Sequence, residues 1–291
     1  MEYLSYPVID PVVFTLGPLT GNWYGLFFEI GLLISSVLLA RRLKGVHLAM
    51  DNDRKTILIF TCFITLLLGA RISYVLLYCP SSLADEPFYF LKFWDGCASF
   101  AGAVALVVPV LWLLSKKWNV EFYRLTDAVA TAAPVAALAV LAGDTVVGSG
   151  WGKVIMDPHL SMLFSSSRHA DMLLVSGDPA LANVIQSNAY GVLPRFPSQL
   201  LELVSQVILW LVISVIYSKN GHKPGFTTAL YLLLFSLIKI TTEQFHEMDM
   251  PVGFSGSLFS TKAGALTIPL LFMFEIIVLS VLVSKKNVPK N

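Results

Sequence analysis

The sequence predicts an all-α integral membrane protein with seven transmembrane helices, and three observations carry that prediction. The residues are 56% hydrophobic and only 13% charged, with a mean hydropathy of +0.71, outside the range of an ordinary soluble domain. Seven segments are long and apolar enough to cross a bilayer. The basic residues alternate between the connections that join them.

In chain order the predicted spans are 23–40, 57–78, 100–114, 128–147, 200–217, 226–245 and 263–283. Before the first, the absence of any base, the presence of acid and the interrupting prolines make a segment unlike a secretory signal peptide. Arg41, Arg42, Lys44, Arg54 and Lys55 follow span one, Lys116, Lys117 and Arg124 follow span three, Lys219 and Lys223 follow span five, and Lys285, Lys286 and Lys290 follow span seven. The other connections hold only Lys92, Lys153, Arg168, Arg195 and Lys262, so the count is thirteen against five. This asymmetry predicts an external N-terminus and a cytoplasmic C-terminus.

The long connections then fall outside. Residues 79–99 are aromatic, as expected of a segment lying in the membrane interface, and Cys79 and Cys97 bracket them as either a disulfide or two unpaired thiols. Residues 148–199 are rich in Ser, Pro and Gly and long enough to be a functional loop or a small folded head. The whole of 1–291 reads as a single transmembrane domain with 148–199 as an external insertion. There is no internal repeat and no pair of Gly/Pro-broken spans, which argues against a transporter. A net charge of +1, with no run of like charges longer than a pair, gives nucleic acid nothing to bind. Three cysteines without a CxxC spacing or a histidine cluster predict no metal and no cofactor.

Polar groups inside the spans suggest a site. Lys239 sits about 20 Å into a bilayer core of about 30 Å, with Glu243 and His246 on the same helical face. Such charge is costly and suggests function, although Lys239 and Glu243 one turn apart could simply neutralise each other. Arg71 lies about 24 Å up the second span and Asp144 about 25 Å up the fourth. Tyr24 and Glu29 begin the first span from outside, and Glu202 begins the fifth. Five helices thus bring polar groups to the outer leaflet, where a phospholipid head group and an external substrate could meet. Blander readings are snorkelling for Arg71, an aromatic belt for Tyr24 and neutral core groups for Glu29 and Glu275.

Several stretches, in order, resemble the prolipoprotein diacylglyceryl transferases of bacterial inner membranes. Tyr6-Pro7-Val8-Ile9-Asp10-Pro11, Gly17-Pro18 and Trp23-Tyr24-Gly25-Leu26 are similar to that family's opening. Gly69-Ala70-Arg71-Ile72-Ser73-Tyr74-Val75 resembles its second-span motif, and Ser99-Phe100 with Gly102 the start of its third span. Asp127 with Ala133-Pro134, then Pro197-Ser198-Gln199-Leu200 with Glu202, then Glu243, Phe245 and Asp249 continue the series. The resemblance implies transfer of the diacylglyceryl group of phosphatidylglycerol to the lipobox cysteine thiol of an exported prolipoprotein, in the bacterial cytoplasmic (inner) membrane and without a cofactor.

The same resemblance assigns roles. Tyr24, Arg71, Tyr74 and Lys239 would hold the lipid, Glu243 and His246 would supply acid and base, and Asp127, Ser198, Gln199, Glu202 and Asp249 would be structural. The chain departs from the family where the chemistry is most demanding. Ala101 stands where the family has a histidine, and Asp144 where it has an arginine. Phe196 replaces a histidine, while Lys239 and His246 replace arginines. Arg to Asp at 144 changes the local charge by two units, and lysine at 239 lacks the planar fork that grips a phosphate with two hydrogen bonds. Two functional readings follow: a divergent transferase, including one of altered donor or acceptor, and a non-catalytic relative that binds lipid or lipoprotein.

Overall fold

The computed structural model describes residues 3–17, 19–45, 50–78, 83, 86–91, 100–219 and 223–247, with backbone alone at 19, 20, 45, 77, 78, 100, 101, 179 and 243. The seventh predicted span, Cys79, Cys97, Asp249 and Glu275 lie outside the described residues. Six long helices account for the other predicted spans: α1 (Trp23–Gly45), α2 (Asn52–Tyr78), α3 (Phe100–Trp118), α4 (Phe122–Val147), α7 (Ser198–Ser218) and α8 (Phe226–Glu243). Four of them, α1, α2, α4 and α7, contain stretches long and apolar enough to cross a membrane. Their outward faces carry Leu33, Val37, Phe60, Val204, Leu211 and Val215 exposed, a surface that suits hydrocarbon and not water.

Helix α4 is the centre of the bundle because its alanines let neighbours approach on both sides, the packing device membrane helices rely on. On one side Leu125, Ala128 and Val129 meet Leu39 and Leu43 of α1, Leu58 and Cys62 of α2, and Val107 and Leu111 of α3. On the other, Ala130 joins Leu209 and Ile213 of α7 and Tyr231, Leu232 and Phe235 of α8. Helices α2 and α3 touch backbone to side chain at Gly102, where an added Cβ would lie 2.2 Å from Ser73 Cβ. That contact holds the turn of α2 carrying Arg71 and Tyr74 against the start of α3.

Asp127 fastens α8 to α4. Its carboxylate accepts the backbone N–H of Gly225 (2.7 Å) and of Thr228 (2.8 Å) and the Thr228 hydroxyl (2.7 Å), so it satisfies the orphan donors of an incoming helix from a different helix.

Residues 148–197 fold into a small head on the end of the bundle. A three-stranded sheet sets β4 (Met162–Leu163) parallel to β1 (Leu4–Ser5) and antiparallel to β5 (Pro194–Arg195). The helices α5 (Arg168–Gly177) and α6 (Ala182–Ser187) complete it. Between β1 and α1, the strands β2 (Val12–Leu16) and β3 (Leu19–Asn22) form a hairpin that turns at Gly17, with φ +61°. Tyr6 binds the head to the bundle: its ring packs on Phe164 at 4.9 Å and its hydroxyl donates to the Thr145 carbonyl at the end of α4.

Candidate functional site

The ends of α2, α4 and α8, the starts of α1, α3 and α7, and the head all meet at one end of the bundle, and the polar residues singled out from the sequence are found there. Gly143 brings this end of α4 against α1, where a Cβ would come within 3.1 Å of Tyr24 Cα. Tyr24 is therefore next to the turn that carries Asp144, whose carboxylate accepts the Ser149 hydroxyl at 3.0 Å. Glu29 is exposed, which corrects its reading as a group buried between helices. Arg71 is only 2% exposed, and its guanidinium lies 5.2 Å from the centre of the Tyr89 ring. A covered cation stacked on an aromatic face replaces the snorkelling alternative.

Lys239 is neutralised across helices. Its ammonium pairs with Glu202 of α7, whereas the sequence spacing pointed to Glu243 one turn away. The Glu243 side chain lies outside the described residues. Glu202 is accordingly more than a packing residue, since it sets the charge of the one cation that α8 contributes. On either side of it along α7, the buried amides of Gln199 and Gln206 have no hydrogen-bond partner among the described residues. Unbonded amides at such burial are costly and leave donors and acceptors open to a polar ligand.

The segment after α8 is stitched to the head. Lys153 donates its backbone N–H to the Phe245 carbonyl (3.0 Å) and its ammonium to the Gln244 carbonyl (2.7 Å). Phe196 and Phe245 stack with centroids 5.0 Å apart. Gly152 pairs with His246 in an antiparallel bridge, so close that a Cβ on Gly152 would lie 2.3 Å from the Phe245 oxygen. His246 Nδ1 is 3.2 Å from the hydroxyl of Ser198, which also contacts the Gly150 carbonyl at 2.8 Å.

Arg195 organises the head and was not singled out from the sequence, where it read as one of the sparse external basic residues. It is wholly buried. Its Nε and Nη2 donate to Asp171 Oδ1 at 2.8 and 2.6 Å, Nη1 donates to the Gly152 carbonyl at 3.1 Å and to Glu247, and Trp151 lies beneath at 4.1 Å. Asp171 is completed by the Ser167 hydroxyl (2.6 Å) and the Leu193 N–H (3.0 Å). A buried guanidinium demands a carboxylate, but its partners lie 24 and 52 residues away, so no local pattern reveals them. Among the described residues no cluster of His, Cys, Asp and Glu could hold a metal ion.

The family model of the prolipoprotein diacylglyceryl transferases matches residues 11–283. The chain belongs to that family. Among its relatives, the phosphatidylglycerol–prolipoprotein diacylglyceryl transferase of Pectobacterium atrosepticum is 32% identical over 259 residues, which is 89% of each chain. The protein of the same name from Photorhabdus laumondii is 32% identical, covering 87% of this chain and 86% of its own. That from Yersinia enterocolitica is 31% identical over 270 residues, or 93% and 92%. In this diacylglyceryl transferase family member the helix ends are thus arranged around the head, with Arg71 as a covered cation and Lys239 as a partly exposed one paired with Glu202. The two belong to different packings, Arg71 to α2–α3 and Lys239 to α7–α8.

Proposed function

We propose that the protein transfers the diacylglyceryl group of phosphatidylglycerol to the lipobox cysteine thiol of exported prolipoproteins, at the outer leaflet of a bacterial inner membrane. The observation that carries this reading is the family match along almost the whole chain, 11–283. Support comes from the covered cation Arg71, the open amides of Gln199 and Gln206 and a histidine at one end of an apolar bundle.

In this reading Tyr24, Arg71, Tyr74 and Lys239 hold the lipid phosphate, and Gln199 and Gln206 hydrogen-bond the polar head group. His246 serves as base, and Glu243 together with the imidazolium formed on His246 supplies the acid. The base takes the thiol proton, and the thiolate attacks the diacylglyceryl carbon bonded to the phosphate oxygen. A sulfur–carbon bond forms as the carbon–oxygen bond breaks, and glycerol phosphate leaves with the electron pair. Cations near the departing phosphate lower the barrier because charge collects there in the transition state.

The Lys239–Glu202 pair favours a second reading, a non-catalytic relative that retains lipid or lipoprotein, because a neutralised cation grips an anion less well. Depleting a cell of its resident transferase and supplying this chain separates the two. Thioether-modified lipoprotein and restored growth support the transferase. Retained phosphatidylglycerol without thioether supports the binding protein. The proposed topology has seven spans, an external N-terminus and a cytoplasmic C-terminus; a reporter fused after Lys290 that is active only outside the cytoplasm overturns it.

A further inference from the structure

We infer that Ser198 is a positioning residue that fixes the tautomer of His246, holding a proton on Nδ1 and leaving Nε2 bare to accept the thiol proton. The inference deepens the transferase reading and rests on it for the identity of the proton donor. A serine hydroxyl has one proton. The Gly150 carbonyl, 2.8 Å from Ser198 Oγ, can only accept, so that contact uses the hydroxyl proton. Oγ then faces His246 Nδ1, at 3.2 Å, with lone pairs alone, and the contact is favourable only when Nδ1 carries the hydrogen.

Ser198 is the first residue of α7, one past the N-cap Pro197, so its hydroxyl is not engaged in capping the helix. Ser198 is 1% exposed, and its hydroxyl is turned towards Gly150 and His246. Gly150 holds its place with φ +72°, a conformation that a side chain disfavours. His246 itself is half-buried, and no hydrogen bond from a described residue occupies Nε2. The arrangement has the logic of a base held in one tautomer by an orienting acceptor, with a hydroxyl relaying to a carbonyl in place of a carboxylate.

During the transfer, the thiol proton moves to Nε2 and the thiolate sulfur bonds to the diacylglyceryl carbon. The carbon–oxygen bond breaks towards the phosphate, and the imidazolium returns the proton to the departing phosphate oxygen, so His246 ends neutral. The base is thereby supplied by the segment after α8.

The test uses the full-length protein in lipid nanodiscs with nitrogen-15-labelled histidine. The chain has five histidines, and a His246→Gln variant assigns the signal. The wild type is expected to show a protonated Nδ1 and an unprotonated Nε2. Ser198→Ala should shift His246 towards the Nε2–H form and lower kcat for thioether formation on a lipobox peptide by about tenfold to a hundredfold, within the usual worth of a general base. KM for phosphatidylglycerol should hold, and Ser198→Thr, which keeps the hydroxyl, should restore both signal and rate. An Nε2–H signal in the wild type overturns the inference, as does an unchanged kcat in a Ser198→Ala variant whose tautomer has shifted. A wild type that holds the Nδ1–H form but makes no thioether overturns the transferase reading and the base role together, leaving only the hydrogen bond standing.

Discussion

Replacing Arg195 by methionine should destabilise the head more than any other single change in it. The substitution fills the same space but leaves Asp171, itself wholly buried, with only the Ser167 hydroxyl and the Leu193 N–H. Breaking one side of a buried ion pair typically costs about 3–5 kcal/mol. At about 2 °C per kcal/mol for a chain of this size, the midpoint should fall by about 6–10 °C. Glu247→Gln should cost about 1 kcal/mol or less, because that side chain keeps 28% of its exposure and the amide oxygen still accepts. The double variant Arg195→Met/Asp171→Leu removes the stranded charge, so its cost should be less than the sum of the single changes, with a coupling of about 2 kcal/mol. Thermal unfolding in detergent, followed by tryptophan fluorescence to which Trp151 beneath the guanidinium contributes, measures the wild type, the three single variants Arg195→Met, Asp171→Leu and Glu247→Gln, and the double variant. Additive losses in the double variant would refute the reasoning, since the pair would then not be coupled.

The charge of the lipid site gives further expectations. Glu202→Gln should release Lys239 and raise co-purified phosphatidylglycerol, Asp144→Asn should also raise it by removing a negative charge at this end of the bundle, and Lys239→Met should lower it, each by about 1–3 kcal/mol in affinity; lipid mass spectrometry checks all three. Ala101→His with Asp144→Arg should raise thioether formation in a divergent enzyme but only lipid retention in a binding protein, which an assay on a lipobox peptide decides. Burial raises the pKa of the Tyr6 phenol above its ordinary 10.0, so its folded form favours the neutral group. That contribution is complete below pH 10.0 and is lost as pH rises through the raised value, so Tyr6→Phe should flatten the alkaline loss of stability in a pH series of thermal melts while removing the hydroxyl's bond to Thr145.

Hydropathy and motif order in the sequence determined the apolar helices and the family, because both signals are local or run along the chain. The six long helices lie where apolar stretches demanded them, and the motif residues Gly69 and Gly102 come together because small residues permit the α2–α3 contact. Lys239, Glu202, Ser198 and His246 were each legible as polar residues near one membrane surface. Their pairing was not. Helical spacing favours the neighbour one turn away, yet the packing of α8 on α7 matched Lys239 to Glu202, and the end of α8 at Glu243 let the segment after it bring His246, read from the sequence as on the same helical face, to Ser198. Arg195 was hidden for a stronger form of the same reason: its meaning comes from burial, and burial arises only when the head closes over Asp171, Gly152 and Trp151. Sequence patterns report periodicity within an element, whereas the partners of a buried charge are chosen by how separate elements pack, and only the tertiary structure decides that.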